Sequence, residues 1–402
     1  MGHSAKYFAA LTAVSAAVIY GSSLSAAAFS SPLLYPPACL AQPLSVIYPI
    51  APAFNDFICL LNTFFIAGTA TPAGKAFLDY FGGLFVPAVL VAVYEGFRPS
   101  SRRSASSKAY GNAEGFGMHL GLAQLSTFAI TVGQVFMAGV ALPLYYAFVS
   151  ASTPNRWRHH HHKKDLGDDV FLPKELREDQ SEPHKHSVQY NANIPRSSFV
   201  YTTLISTIVG MVLPSLYMST APPELKYDAL TIFHPFPVYM LLINIVLPPL
   251  LRRSFTSVNP MRGIYLIAAL GIAASLKSQY QLFTQHATVP ITDVFMLNAN
   301  RDFLNNVEAL GESCHLLFIL DFVFVALATG SKVVLALARR ARSGTVGRIT
   351  YTIILLAGAC VVGPGAAIMV MWAYSEREAL RHAQEYTDAK KATEGGSKKK
   401  TK

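Results

Sequence analysis

AFLDYFGGLFVPAVLVAVYEGFRP, residues 76–99, decides how the chain folds. The apolar run from Ala76 to Val93 approaches the roughly 20 residues needed to cross a bilayer. It closes on Tyr94-Glu95-Gly96-Phe97-Arg98-Pro99, with a carboxylate and a guanidinium at its mouth. Pro87 predicts a kink, which a membrane helix tolerates when neighbouring groups satisfy the freed carbonyl. A second acid, Asp56, sits in the preceding apolar run, Phe54 to Ala70. An ionisable group at this depth costs about 2.5–3.5 kcal/mol on insertion scales, so both acids are candidates for function.

The composition extends this reading to the whole chain. Hydrophobic residues make up 52% and charged residues 14% of the sequence, well below the roughly 25% charged of soluble domains. The fold class expected is all-α, a polytopic bundle of about eight or nine membrane-crossing helices. The further runs are Phe8–Phe29, read as an uncleaved first helix, Phe116–Ser150, read as one tilted helix kinked at Pro143, and Ser198–Met218. Leu230–Leu251, Gly263–Phe283, Leu310–Thr329 and Ile349–Tyr374 follow, the last bent or broken at Gly363-Pro364-Gly365.

The organisation is therefore an N-terminal helical part over 1–150, a polar extramembrane loop over 151–197, a second helical part over 198–374 and a basic disordered tail over 375–402. Basic residues flank the loops after Ser150, from Arg252 to Arg262 and from Lys332 to Arg348, which makes their side cytoplasmic. With Phe116–Ser150 crossing once, the Arg98–Lys108 loop and the tail fall on the other side. Yet Lys399-Lys400-Thr401-Lys402 resembles a dilysine endoplasmic-reticulum retrieval signal, which is read in the cytosol. These signals conflict.

The four cysteines have no CxxC spacing and read as isolated buried thiols. The net charge of +10 is concentrated in loops and tail, which suits membrane lipid as a partner, and no nucleic-acid motif is present. His159–His162 is a compositional metal-binding tract only. Walker, Rossmann, HExxH and GxSxG signatures are missing, so nucleotide chemistry and zinc hydrolysis lack support and no cofactor or metal is expected.

Asn55, Cys59 and Asn62 share one face of the Phe54–Ala70 helix, and Asp56 looks toward Thr63. Glu95 stands three residues before Arg98. Pairing would keep it ionised, whereas burial alone would make it a proton donor. Arg301, Asn305, Glu308, Glu312 and His315 form the densest polar stripe. Two carboxyls one turn apart suit acid/base work, and with His315 they have incomplete metal-ligand spacing. Lys277 and Asp321 are candidate partners in an ion pair between helices. Aromatic side chains near the spans either anchor the interfaces or stabilise a cation.

Asn55-Asp56-Phe57 in an early span, Tyr94 to Pro99 closing the next, a polar central loop and late acidic positions together resemble the fungal membrane-bound terpene cyclases of ascofuranone and macrophorin biosynthesis. The resemblance covers most of the membrane portion. It implies cyclisation of a farnesyl chain on an aromatic ring, begun by protonating an epoxide or alkene. That start needs no magnesium, diphosphate or redox cofactor. The hydrophobic prenylated aromatic would be the substrate, with Asp56 or Glu95 as donor, Arg98 positioning Glu95, and Glu312 with His315 as the other acid/base pair. A cyclase predicts that the acids converge on one pocket. A carrier for a hydrophobic metabolite or protons predicts a through-path or repeat, and a scaffold predicts dispersed acids.

Overall fold

The computed structural model describes residues 3–21, 52–98, 122–152, 194–251, 254, 259–295, 307–341 and 343–399. The chain is an all-α polytopic bundle, with no strand among these residues. Six helical stretches are long and apolar enough to cross a membrane, and two shorter apolar helices accompany them. His119, Arg301, Asn305 and most of the polar loop lie outside the described residues.

In chain order, α1 is His3–Gly21, α2 Pro52–Gly68, α3 Pro72–Gly96, α4 Leu122–Phe136 and α5 Ala138–Ser152. Next, α6 (Ser197–Thr207) runs through a π turn at Ile208–Val212 into α7 (Leu213–Thr220). Helices α8 (Lys226–Phe233) and α9 (Phe236–Leu251) together make one span interrupted at His234-Pro235. They are followed by α10 (Pro260–Thr284), the short α11 (Ile291–Phe295), α12 (Val307–Arg340), α13 (Gly344–Val362) and α14 (Pro364–Lys399).

The stretch that opened the sequence reading is the core of the bundle. Helix α3 starts on a Thr71 cap, whose hydroxyl accepts the N–H of Gly74, and is buried continuously from Val86 to Gly96. Apolar residues all round a helix cannot all face lipid usefully, and here they pack against α10, α12 and α14. Close approach to α14 depends on a glycine: a Cβ on Gly365 would stand 2.1 Å from the Gly83 carbonyl oxygen.

Residues 116–150 do not form a single tilted helix. The chain breaks at Met137, which takes φ 63° between α4 and α5, and the two helices fold back on each other. Pro143 is accommodated within α5 and makes no break. The tip of this hairpin lies deep in the bundle, where the Gly139 N–H donates to Asp321 Oδ1 at 2.5 Å. Asp321 thus satisfies a free N–H in the first turn of a half-helix, the role an N-cap performs at the surface. It is not the partner of Lys277, whose side chain is exposed. We expect Asp321→Ala to destabilise the chain by about 1–2 kcal/mol, the usual cost of losing a cap, while Asp321→Asn, which keeps an acceptor oxygen, retains most of the stability. Thermal unfolding in detergent reads the difference.

The hairpin also removes the conflict over sidedness. Because it enters and leaves at one end, the segments after Arg98 and after Ser152 emerge together. Phe97 stacks on Phe199, Gly263 meets Val200, and Tyr7 bonds Ser331 at 2.8 Å, so α6, α10 and α1 begin at this same end. It carries Arg98, Arg262, Lys332, Arg339, Arg340, Arg348 and the start of the tail. The opposite end, marked by the His286–Asp79 contact at 3.0 Å, carries Asp79, Glu224, Asp228 and Asp293 against Lys75 and Lys226. The bundle therefore has a basic end and an acidic end.

The break expected in the Ile349–Tyr374 run is present at Gly363, whose φ of 82° separates α13 from α14. One thiol expectation is corrected: Cys314 and Cys360 are free, but Cys59 is disulfide-bonded. The remaining cysteine, Cys39, lies outside the described residues.

Candidate active site

Two buried regions of contrasting chemistry, an ion network and a set of aromatic rings, occupy opposite halves of the bundle. At the basic end, Arg98 Nε donates to Glu95 Oε1 at 2.6 Å, and Lys332 Nζ reaches Glu95 Oε2 at 2.9 Å. Arg98 Nη2 donates to Glu376 Oε1. Arg340 Nη1 joins the same oxygen at 2.7 Å, and the Tyr94 hydroxyl donates to Glu376 Oε2 at 2.9 Å. Arg98 also lies over the Tyr94 ring at 5.0 Å. The Glu95–Arg98 pairing raised by their spacing is thus present, within a network tying α3 to α12 and α14. Arg98 and Lys332 occupy both oxygens of Glu95, while Arg98, Arg340 and the Tyr94 hydroxyl occupy those of Glu376.

The second region fills the other half of the bundle and consists of aromatic rings. Phe318 meets Phe65 at 5.2 Å, Phe65 meets Phe233 at 6.3 Å, and Phe233 stacks on Phe236 at 5.3 Å. Phe236 meets Phe85 at 6.0 Å, Phe85 meets Phe81 at 5.7 Å, and Phe81 meets Phe322 at 5.8 Å. Phe322 is one turn beyond Phe318 on α12, so the rings close a circuit through α12, α2, α8, α9 and α3. Phe65, Phe85 and Phe322 are only partly buried, which leaves ring surface uncovered.

Buried polar atoms without partners lie on the helices that carry these rings. His234 is 1% exposed, lies 4.8 Å from Phe65, and neither ring nitrogen has a hydrogen-bond partner. Asn62 donates to Thr231 Oγ1 at 2.8 Å, but its Oδ1 has no donor. Glu312 Oε2 is likewise buried without a partner. One turn on, His315 lies 5.4 Å from Phe77, and its Nε2 bonds the Val294 carbonyl at 3.0 Å, which leaves Nδ1 as the acceptor nitrogen of the neutral ring. Orphaned polar atoms at a buried apolar site cost about 1–3 kcal/mol each, so their presence is a reason to expect a ligand or a reaction there.

The sequence-derived acids do not gather in one place, so the convergence of Asp56, Glu95 and Glu312 expected of a cyclase is not met, and a single acid would have to start the reaction. Lys332, which holds Glu95, is twenty residues beyond Glu312 on α12, a separation of about 30 Å at 1.5 Å per residue. Asp56 is exposed on the first turns of α2. Glu308 is within α12, but its side chain lies outside the described residues. Among the described residues, no three His, Cys, Asp or Glu side chains gather as a metal-holding group.

A model of the CtvD domain matches residues 40–380. This chain belongs to the CtvD domain family. The family is a fungal, meroterpenoid-cyclase-like one. No curated protein and no solved structure matches the chain. The match spans both regions of this CtvD domain, the aromatic circuit and the ion network alike.

Sequence reasoning missed Lys332, Arg340 and Glu376, because ending the late span at Thr329 and the last at Tyr374 left all three in polar segments. Helix α12 in fact continues to Arg340. The signal for His234 was available: a lone His before Pro235 inside the apolar run Thr231 to Pro237 interrupts a CtvD-domain span where nothing else does.

Proposed function

We propose that this CtvD-domain protein is a membrane-bound cyclase that closes rings in the prenyl chain of an aromatic meroterpenoid by a proton-initiated cationic route. The observation that carries this reading is the chain of aromatic rings from Phe318 round to Phe322 with unpartnered His234 against Phe65, on a helix, α12, that also carries unpartnered Glu312. Ring faces stabilise a cation by about 0.5–2 kcal/mol each where water is excluded, and a prenyl carbocation needs several such faces without a nucleophile nearby. Glu312 protonates the terminal epoxide oxygen, or an alkene carbon. The chain's alkenes then close onto the cation, and His234 accepts the terminating proton or the hydrogen bond of a substrate hydroxyl. Protons lost and gained are equal, so the product is an isomer of the substrate.

Glu312 is favoured over Glu95 and Asp56 as donor for a physical reason. Arg98 and Lys332 occupy both oxygens of Glu95, and Asp56 is exposed, whereas Glu312 Oε2 is buried with no hydrogen-bond partner. The basic end faces the cytosol, in line with the positive-inside rule, and the disulfide at Cys59 belongs to an oxidising compartment on the other side. The endoplasmic reticulum fits both.

Microsomes from a host expressing the chain should convert a farnesylated phenol carrying a terminal epoxide into a cyclic product of identical mass. A diol, formed by addition of water, or no conversion above microsomes lacking the chain, would contradict the cyclase reading.

A further inference from the structure

At the bundle's periphery, α13 turns most of its side chains outward: Val346, Ile353, Leu356 and Val361 are all more than half exposed. Between α13, α12 and α1 this apolar surface folds into a groove of about 420 Å³, within the usual range for small-molecule sites. Its ends differ in chemistry. Toward the middle of the bundle it is lined by Ala326, Leu327, Leu355, Ala359 and Ile368. At the basic end the lining is His3, Ser4 and Arg348, with the Tyr7–Ser331 hydrogen bond pinning α1 to α12 beside them. Arg348 is exposed and its side chain has no ion pair or hydrogen bond among the described residues, and Arg339 stands close enough to add a second positive field.

We infer that this groove is a binding site for one anionic phospholipid of the leaflet at the basic end, its phosphate on Arg348 and one acyl chain along the apolar wall. The dimensions agree. From Arg348 to Ala359, α13 rises about 16 Å, close to half of the ~30 Å hydrocarbon thickness. The charge agrees as well, since a guanidinium grips a phosphate through two parallel hydrogen bonds and the cytoplasmic leaflet is the anionic one. The site is separate from the aromatic circuit and does not depend on the cyclase reading.

The test uses the full chain in detergent, mixed with equal amounts of phosphatidylserine and phosphatidylcholine, with bound lipid counted by native mass spectrometry. The wild-type chain should retain one phosphatidylserine with a preference of about fivefold, the effect of one well-placed charge. Arg348→Gln should erase the preference, and Ala359→Phe or Ala326→Phe, which fill the groove, should remove both lipids. Arg262→Gln, an exposed cation at the same end but off the groove, should change nothing, and tail-free glycerophosphoserine should not compete. Thermal unfolding confirms that each variant is folded, and Arg348→Gln, at an exposed position, carries the test if either Phe variant is not. Preference surviving in Arg348→Gln, lipid retained in folded groove-filled variants, or equal loss in Arg262→Gln would overturn the proposal.

Discussion

Glu376→Gln should lower the unfolding free energy of the detergent-solubilised chain by about 3–5 kcal/mol, the cost of stripping one partner from a buried charge network. Glu376 receives Tyr94, Arg98 and Arg340 and is 0% exposed. A Gln amide keeps the shape but removes the negative charge, leaving Arg98, Lys332 and Arg340 with Glu95 as their one buried counter-charge in this network. It also turns an NH₂ toward groups that are themselves donors. Part of the loss should return in the double variant Glu376→Gln/Arg98→Met, which removes a buried cation along with its anion. A double-mutant cycle on unfolding midpoints checks this, since independent sites would add and these should not. If Glu376→Gln unfolded like the wild type, the network would not be holding α3 to α14.

How far the sequence carried this picture can be seen residue by residue. The apolar run before Glu95 identified α3, because a run from Ala76 to Val93 with Asp79 as its one charge has few alternatives to a membrane helix. The Glu95–Arg98 pairing was legible from a three-residue spacing. Its third and fourth partners were not, since Lys332 and Glu376 lie more than two hundred residues away and only the packing of α12 and α14 brings them in. Met137 was equally hidden. Nothing in its residue type marks a left-handed turn, and the more visible Pro143 drew the break to the wrong place. That hairpin then gathered at one end of the bundle the basic residues that a single crossing had split between two sides. The aromatic circuit was present in the composition as phenylalanines, but a ring that anchors an interface and one that lines an interior differ only in what lies opposite. His315 and Glu312 were recognised as one stripe, whereas their separation from Glu95 required the length of α12.

The largest functional effect is expected at Glu312. Gln has the same outline and hydrogen-bonds at both ends, so Glu312→Gln leaves packing around Gly311 and His315 intact while removing the transferable proton. General acid catalysis of this kind is worth about 10²–10⁴-fold, and Glu312 Oε2 is buried with no hydrogen-bond partner. Asp56→Asn, at an exposed position on α2, should leave turnover unchanged. The decisive measurement is therefore the rate of isomer formation from the epoxide substrate by Glu312→Gln microsomes, normalised to folded protein. A loss of at least about a hundredfold with unchanged thermal stability is the predicted result. Wild-type turnover in that variant would contradict the assignment of the aromatic half of the bundle as the site of proton-initiated cyclisation.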